Sequence, residues 1–173
     1  MATTPMALAV VNALDQDAFV AVLGALFEGS PWIAAETWLS RPFANHNALH
    51  HALCATMYAA PPERKVALIR AHPDLAGKAA IAGELTPEST SEQSSVGLDR
   101  LSPEEFARFT RLNQAYLDTF GFPFVICVRE NTKDSILASF AARLQYPRDQ
   151  EIETALGEIA KIARLRLLDA VRD

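Results

Sequence analysis

The chain has 173 residues, about the length of one ordinary domain, and its 50% apolar and 21% charged residues are typical of a soluble folded protein. Its net charge of −5 provides no basic surface for nucleic acid or for an anionic membrane. Two cysteines are too few for a disulfide framework or a four-cysteine zinc site, and they favour a reduced, cytoplasmic environment.

The first residues carry no sign of a targeting or membrane segment. The apolar stretch 5–11 is short and the first basic residue is Arg41, so the positive region of a secretory signal is missing. No apolar run approaches the ~18 to 20 residues of a membrane helix. We therefore expect no membrane contact, a cytoplasmic location, and a loosely ordered tail over residues 1–13.

Helix-capping residues and apolar residues at helical spacing predict an all-α fold. Asp15 and Asn45 are placed as N-caps, and residues 102–105 have the pattern of a capping box. The predicted helices cover residues 15–27, 31–38, 45–59, 62–71, 75–85, 102–120, 132–144 and 150–171. The polar residues 86–93 are predicted to form a loop. The expected architecture is a single compact domain, 1–173, with about eight helices.

Residues 122–128 depart from the helical pattern. Their sequence, Phe-Pro-Phe-Val-Ile-Cys-Val, is β-branched and aromatic, which is typical of a strand. Because no second strand is predicted to pair with it, we expect an extended segment packed between helices. Its main-chain groups cannot all be paired locally, so they are candidates for binding a polar ligand.

Two residues are candidates for function, and each also has a structural interpretation. His72 stands at a predicted helix end before a proline, where an imidazole either caps the helix or exchanges protons near neutral pH. Glu92 lies three residues after Ser89, which is capping-box spacing. The alternative is that hydroxyls, N–H groups and this carboxylate receive a polar ligand at a helix N-terminus.

Arg166 lies on the apolar stripe of the last predicted helix, in line with Ile152 and Ile159 at steps of seven residues. A guanidinium on an inward face must be paired or must meet an anion. A structural ion pair and a substrate carboxylate are both compatible with this position.

A competing site is formed by the histidines of the third predicted helix. His46 and His50 have the i, i+4 spacing of two zinc ligands, and with His72 they define a metal-dependent hydrolase as an alternative. The simpler interpretation is that they are surface histidines. Cys54 and Cys127 have no second thiol nearby in sequence and are interpreted as packing residues.

The sequence resembles a known family at several motifs that follow in the same order. These are residues 27–32 (Phe-Glu-Gly-Ser-Pro-Trp), 71–78 (Ala-His-Pro-Asp-Leu-Ala-Gly-Lys), 89–98 (Ser-Thr-Ser-Glu-Gln-Ser-Ser-Val-Gly-Leu), 112–116 (Leu-Asn-Gln-Ala-Tyr), 120–129 and 131–133. They resemble the 2-oxo-4-hydroxy-4-carboxy-5-ureidoimidazoline (OHCU) decarboxylases, over about Leu14 to Val171.

The resemblance implies a cofactor-free enzyme of uric acid degradation that converts OHCU to (S)-allantoin and CO2. It also implies an all-α fold, a homodimer, and neither a metal nor an organic cofactor. A catalytically inactive helical interaction module that keeps the same fold is the second alternative to this function.

The resemblance also assigns roles to individual residues by motif position. The catalytic histidine falls on His72 and its partner carboxylate on Glu92. The residues implied to contact substrate are Pro73, Ser89, Thr90, Ser91, Glu92, Gln93, Phe124, Val125, Ile126, Cys127, Val128 and Arg166.

Overall fold

The computed structural model describes residues 5–173, apart from the side chains of residues 78 and 79. The predicted all-α class is confirmed. In the described part the helices are α1 (Leu8–Ala13), α2 (Gln16–Leu23), α3 (Trp32–Thr37), α4 (His46–Ala59), α5 (Pro62–Arg70), α6 (Lys78–Ala82), α7 (Pro87–Ser95), α8 (Pro103–Phe120), α9 (Lys133–Arg143) and α10 (Arg148–Ala170). Short 3-10 turns occur at Gly24–Leu26, Trp38–Ser40 and Val128–Glu130.

The described chain divides into two compact units. The terminal unit holds the residues up to Ala71 together with Ala160–Asp173, and the central unit holds His72–Ile159, so the division falls within α10. The expectation of a single domain stays a prediction. Among residues 5–173, no helix combines the length and the apolar character needed to cross a membrane.

The terminal unit is built on helices, and two of them, α2 and α4, are capped as the sequence predicts. The Asp15 carboxylate accepts a hydrogen bond from the Ala18 N–H at 2.8 Å, and the Asn45 side chain accepts one from the Ala48 N–H at 2.9 Å. The apolar faces of these helices form a core that excludes solvent completely at Phe19, Leu23, Ile33, Leu49, Leu53 and Met57.

The expected loose tail over residues 1–13 stays a prediction for residues 1–4, which lie outside the described residues, whereas residues 6–13 form regular structure. Met6–Ala7 forms strand β1, which pairs in parallel with strand β2 (Val171–Arg172), and α1 follows at once with Val11 fully buried. Apolar periodicity cannot reveal this order, because β1 is two residues long and its partner lies at the other end of the sequence.

The central unit has an aromatic core around α8. The predicted capping box at Ser102 and Glu105 is confirmed, and Gly121 ends the helix with φ of 76°. The rings of Phe124 and Phe140 stack with centroids 3.7 Å apart, and Tyr116 packs edge-on against both. The predicted extended segment is confirmed, since residues 122–127 are buried and belong to no helix or strand.

The prediction of a loop over 86–93 is wrong, because Pro87–Ser95 forms α7. Thr86 is the N-cap, and its hydroxyl accepts a hydrogen bond from the Ser89 N–H at 3.2 Å, so Ser89 is not the capping residue. Serines and threonines favour loops by composition, but Thr86 and Pro87 are ideal at the start of a helix. Helix α6 is shorter than predicted and ends before Gly83, whose φ is 71°.

A clasp formed by His46, Val171 and Asp173 makes stability depend on pH. The ring nitrogens of His46 face two acceptors, the Asp173 carboxylate at 2.7 Å and the Val171 carbonyl, and only a protonated imidazole donates to both. Partial burial lowers the pKa of His46, but these hydrogen bonds outweigh burial and raise the pKa overall. The hydrogen bond from His46 lowers the pKa of Asp173.

The clasp therefore stabilises the fold below the ordinary histidine pKa of about 6.5, and this contribution is lost as pH rises through the raised value. The contribution of Asp173 is lost only as pH falls through its lowered pKa. We expect His46→Gln to lower the melting temperature by about 1–3 °C near pH 5.5 and by less near pH 9. Scanning fluorimetry measures this, with His51→Gln as the control because His51 is exposed on the same helix. An equal difference at both pH values would contradict the clasp.

Candidate active site

His72 opens a turn that directly follows α5. The side chain is 8% exposed and its Nε2 atom is shielded from solvent. Pro73 follows and fixes its own φ near −65°. We call residues His72–Gly77 the histidine turn; it lies wholly in the central unit.

Two amide side chains hold the main chain of the histidine turn. Gln93 accepts a hydrogen bond from the Ala76 N–H at 2.9 Å and donates one to the Asp74 carbonyl at 3.3 Å. Asn113 donates to the Leu75 carbonyl at 2.8 Å. Three consecutive residues of the turn are therefore bound by side chains from α7 and α8.

The backbone of this turn is unusual at two further positions. Ala76 has φ of 50°, in the left-handed region that residues with a Cβ rarely adopt. At Gly77, an added Cβ would lie 2.7 Å from the Cβ of Asp74, so a larger residue does not fit. Burial raises the pKa of the Asp74 carboxyl.

Helix α7 carries the five adjacent residues that the resemblance places at the substrate. Ser89 and Gln93 are buried and Glu92 is half-buried, as expected for positions that share one helical face. Thr90 and Ser91 are exposed. The structure thus brings only part of this set to the inward face of α7.

A cavity of about 610 Å³ lies in the central unit beside α7. Its lining residues are Ala76, Ala80, Ile81, Leu85, Thr90, Gln93, Ser94, Leu98, Asp99, Leu101, Ser102, Pro103 and Phe106. Thr90 and Gln93 are the predicted substrate contacts in this lining, whereas His72, Glu92 and residues 124–128 are not part of it.

The main chain of the extended segment is held by side chains from distant helices. Arg143 donates to the Val125 carbonyl at 2.8 Å, and the Cys127 N–H donates to the Glu158 carboxylate at 2.8 Å. The Asn131 side chain donates to the Cys127 carbonyl at 2.9 Å. The Val125 carbonyl and the Cys127 N–H are thus paired over long range, which fixes the course of the segment.

Three carboxylates influence the end of the extended segment electrostatically. Burial is the largest cause that raises the pKa of the Cys127 thiol, and together with the charges of Glu130, Glu158 and Glu92 it brings that pKa to about 11. The thiol therefore stays protonated at neutral pH and is a poor nucleophile. Helix α7 also contacts the 3-10 turn Val128–Glu130. Glu92 is accordingly close enough to this end of the segment to act on it electrostatically.

A buried charged network beside the extended segment was missed by the sequence analysis. Arg143 donates through Nε to Glu151 at 2.9 Å, and the Tyr116 hydroxyl donates to the same carboxylate. The Arg143 guanidinium also lies 4.3 Å from the centre of the Phe124 ring. Burial, and then the hydrogen bond to Glu151, raises the pKa of Tyr116. The spacing of Arg143, seven residues after Ile136 on the buried stripe of α9, could have indicated a buried arginine.

Arg166 forms an ion pair in the terminal unit. Its guanidinium donates to the Glu28 carboxylate at 3.0 Å and to the Ala25 carbonyl at 3.1 Å, and both charged side chains are less than 8% exposed. A structural ion pair was one of the two alternatives for Arg166, and it is the one that the structure shows. Contact between Arg166 and a substrate carboxylate stays a prediction.

His46 and His50 of α4 contact main-chain carbonyls and are not the exposed surface residues that the simpler interpretation expected, whereas His51 is exposed. His46 belongs to the clasp, and the Nε2 atom of His50 lies 2.8 Å from the Ala160 carbonyl and 3.3 Å from the Cys54 thiol. Both histidines are half-buried. In the part of the chain that the structure describes, no group of three His, Cys, Asp or Glu residues is arranged to hold a metal ion.

Comparison with known proteins places this chain in a family. A family model described as OHCU decarboxylase matches residues 12–168. The chain belongs to the OHCU decarboxylase family. A Halalkalicoccus jeotgali protein named 2-oxo-4-hydroxy-4-carboxy-5-ureidoimidazoline decarboxylase is 40% identical over 91% of this chain and 87% of that protein.

Two further proteins are similar to this OHCU decarboxylase family member. The Bacillus subtilis protein named uric acid degradation bifunctional protein PucL is 37% identical over 94% of this chain, which corresponds to 32% of that longer protein. A crystal structure of (S)-allantoin synthase superposes with a TM-score of 0.76 and 29% identity, covering 97% of this chain and 54% of that chain.

From the buried Arg166–Glu28 ion pair we predict that removing one partner strongly destabilises this OHCU decarboxylase family member. Removing one partner of a buried ion pair costs about 3–5 kcal/mol, because the other charge remains in a poorly solvated position. We therefore expect Arg166→Met to lower the free energy of unfolding by about this amount, measured by urea titration. The double variant Glu28→Gln with Arg166→Met should regain part of the loss. A single variant as stable as the wild type would contradict a stabilising pair.

Proposed function

We propose that this protein converts OHCU to (S)-allantoin and CO2 in the degradation of uric acid. The observation that carries the proposal is the arrangement in the central unit of the family motifs. Helix α7, which bears Glu92, binds the histidine turn through Gln93 and contacts the end of the extended segment at Val128–Glu130. The names of the Halalkalicoccus jeotgali relative and of the (S)-allantoin synthase structure support the same reaction.

The chemistry of the substrate suits the residues of this unit. When the carboxylate leaves as CO2, its bonding electrons flow into the neighbouring C=N of the imidazoline ring. The ring carbon that bears the ureido group must then receive a proton on one face. Because the substrate supplies its own electron sink, we propose a reaction without metal or organic cofactor. The steps that need help are deprotonation of the hydroxyl and delivery of that proton.

His72 and Glu92 are proposed to act as one acid–base pair. An imidazole titrates near neutral pH, so it can accept the hydroxyl proton and return a proton to the ring. The Glu92 carboxylate would fix the tautomer and orientation of that imidazole. The solvent-shielded position of His72 supports this role, since proton transfer is best controlled away from bulk water.

The remaining contacts are proposed to orient the substrate. Pro73, the residues Ser89–Gln93 of α7, and residues 124–128 would surround the ureido and ring groups, with main-chain N–H and C=O groups matching their donors and acceptors. Arg166 is proposed to meet the substrate carboxylate. Such a cation would mainly assist binding, because holding the carboxylate tightly disfavours its departure as neutral CO2.

The proposal is tested by following (S)-allantoin formation by circular dichroism while OHCU is generated from urate in the same cuvette. We expect the purified protein to accelerate the appearance of the (S)-allantoin signal, and a chelator to leave the rate unchanged. A rate equal to the uncatalysed one would overturn the proposal and favour an inactive helical module. Loss of the rate with chelator, restored by a divalent metal, would favour the hydrolase-type metal site.

We also propose that the protein is cytoplasmic and forms a homodimer. Light scattering on the same preparation measures whether it is a dimer.

If His72 and Glu92 serve the same proton transfer, removing either breaks one step. We expect His72→Asn and Glu92→Gln each to reduce turnover by ~10²-fold or more, the usual order for a general acid–base group. The double variant should be little slower than the slower single variant, because groups that act together are not additive. The same assay measures all three variants.

The matched control is His50→Gln, which changes the same residue type within the terminal unit and should keep most of the activity. Far-ultraviolet circular dichroism checks that every variant folds. Multiplication of the two single losses in the double variant would show that His72 and Glu92 have independent roles, and the paired mechanism would be abandoned.

A further inference from the structure

Asn113 is a polar residue on a buried helix face. The inward stripe of α8 consists of Phe109, Asn113, Tyr116 and Phe120, and Asn113 is only 7% exposed. An amide in an apolar stripe needs a hydrogen-bonded partner to offset its loss of water. Packing alone would be served better by an apolar side chain of similar shape, so packing does not account for an asparagine at this position.

The contacts of Asn113 fix the orientation of its amide. Its Nδ2 atom donates to the Leu75 carbonyl at 2.8 Å, across 38 positions of sequence, and a carbonyl can only accept. The remaining polar atom of the amide is therefore Oδ1, and it is buried with no hydrogen-bond partner in the described part of the chain. Such an acceptor is a cost to the fold. The bond to Leu75 is accordingly the contact that specifically requires an asparagine here.

Leu75 lies at the centre of the histidine turn. Gln93 binds the residues on either side of it, at the Asp74 carbonyl and the Ala76 N–H. Without these bonds, a left-handed φ of 50° at Ala76 would be unfavourable, because its Cβ crowds the backbone there. Gln93 ties the turn to α7, and Asn113 ties it to α8.

His72 begins the same turn and is separated from Asp74 by a single proline. Because the φ of Pro73 is restricted by its ring, a shift of the backbone at Asp74 and Leu75 is passed on to His72 with little relaxation between them. The imidazole orientation therefore depends on where the Leu75 carbonyl is held.

We propose that Asn113 is a positioning residue that aligns the His72 imidazole through the Leu75 carbonyl. This inference rests on the proposed function, in which His72 transfers the proton. Asn113 acts on the proton-transfer step through the backbone of the histidine turn and makes no contact with the reacting atoms.

The first test is Asn113→Leu, which keeps the volume and removes the hydrogen bond. We expect kcat per folded molecule to fall by about 10- to 100-fold with KM changed by less than about threefold, because small misplacements of a catalytic group affect mainly the chemical step. The matched control is Gln114→Leu, one residue along α8, where the side chain is exposed and bonds Asp118. It should leave kcat unchanged. An unchanged kcat in folded Asn113→Leu would overturn the proposal.

The second test combines this change with the loss of the imidazole. In the His72→Asn background, Asn113→Leu should cost less than about twofold in kcat, since there is no imidazole left to align. A purely structural role would multiply the two losses, and that result would overturn the proposal.

The third test is a conservative replacement with a distinctive pH profile. In Asn113→Asp, the introduced carboxyl is buried and its pKa is raised. When protonated it can donate to the Leu75 carbonyl, and when ionised it cannot. We expect activity relative to the wild type to be partly rescued at low pH and lost as pH rises. Parallel pH profiles for Asn113→Asp and wild type would overturn the proposal.

A readout that needs no turnover separates this proposal from the proposed function. Side-chain NMR of the four histidines, with His72 assigned by its absence in His72→Asn, reports its titration and chemical shift. We expect Asn113→Leu to change the His72 signals and to leave those of His46, His50 and His51 in place. If the wild type forms no (S)-allantoin, the proposed function is overturned, and the NMR comparison of Asn113→Leu with the wild type alone tests the positioning role. Unchanged His72 signals would then overturn the positioning role.

Discussion

Buried main-chain groups outside regular secondary structure must find partners, and this requirement shapes the central unit. The extended segment is buried, the histidine turn is buried at His72, Leu75 and Ala76, and neither stretch belongs to a helix or a sheet. Side chains from the surrounding helices therefore supply the missing partners. Gln93 and Asn113 do so for the turn, while Arg143 and Glu158 do so for the segment. The course of both stretches is thus set by helices that are distant in sequence.

The same solution appears with charged residues in both units. In the central unit, the Arg143 guanidinium joins the Glu151 carboxylate to the Val125 carbonyl. In the terminal unit, Arg166 joins the Glu28 carboxylate to the Ala25 carbonyl. Arginine suits this task because its planar fork presents several donors at fixed angles. Each pair brings two charges out of water, so its geometry must be accurate for the attraction to offset the desolvation.

The sequence was sufficient to predict features that depend on a single helix. The N-caps at Asp15 and Asn45 and the capping box at Ser102 involve groups within four residues, and each is found as predicted. Composition alone misled over residues 86–93, because the hydroxyl side chains that favour a loop also begin a helix at Thr86. Strand β1 and helix α1 were not foreseen, since the partner of β1 lies at residues 171–172.

For the candidate site, the sequence by itself determined which residues are present and in what order: the motifs at 71–78, 89–98 and 122–128, and the all-α class that carries them. Polar residues on apolar helix stripes, such as Arg166, also indicated that these side chains have buried hydrogen-bond or ion-pair partners. Only the tertiary structure decided what those partners are, that Gln93 binds the histidine turn while Thr90 and Ser91 stay exposed, and that Asn113 reaches Leu75. The physical reason is that capping and periodicity are properties of neighbouring residues, whereas the pairing of a buried polar group depends on which distant element packs against it.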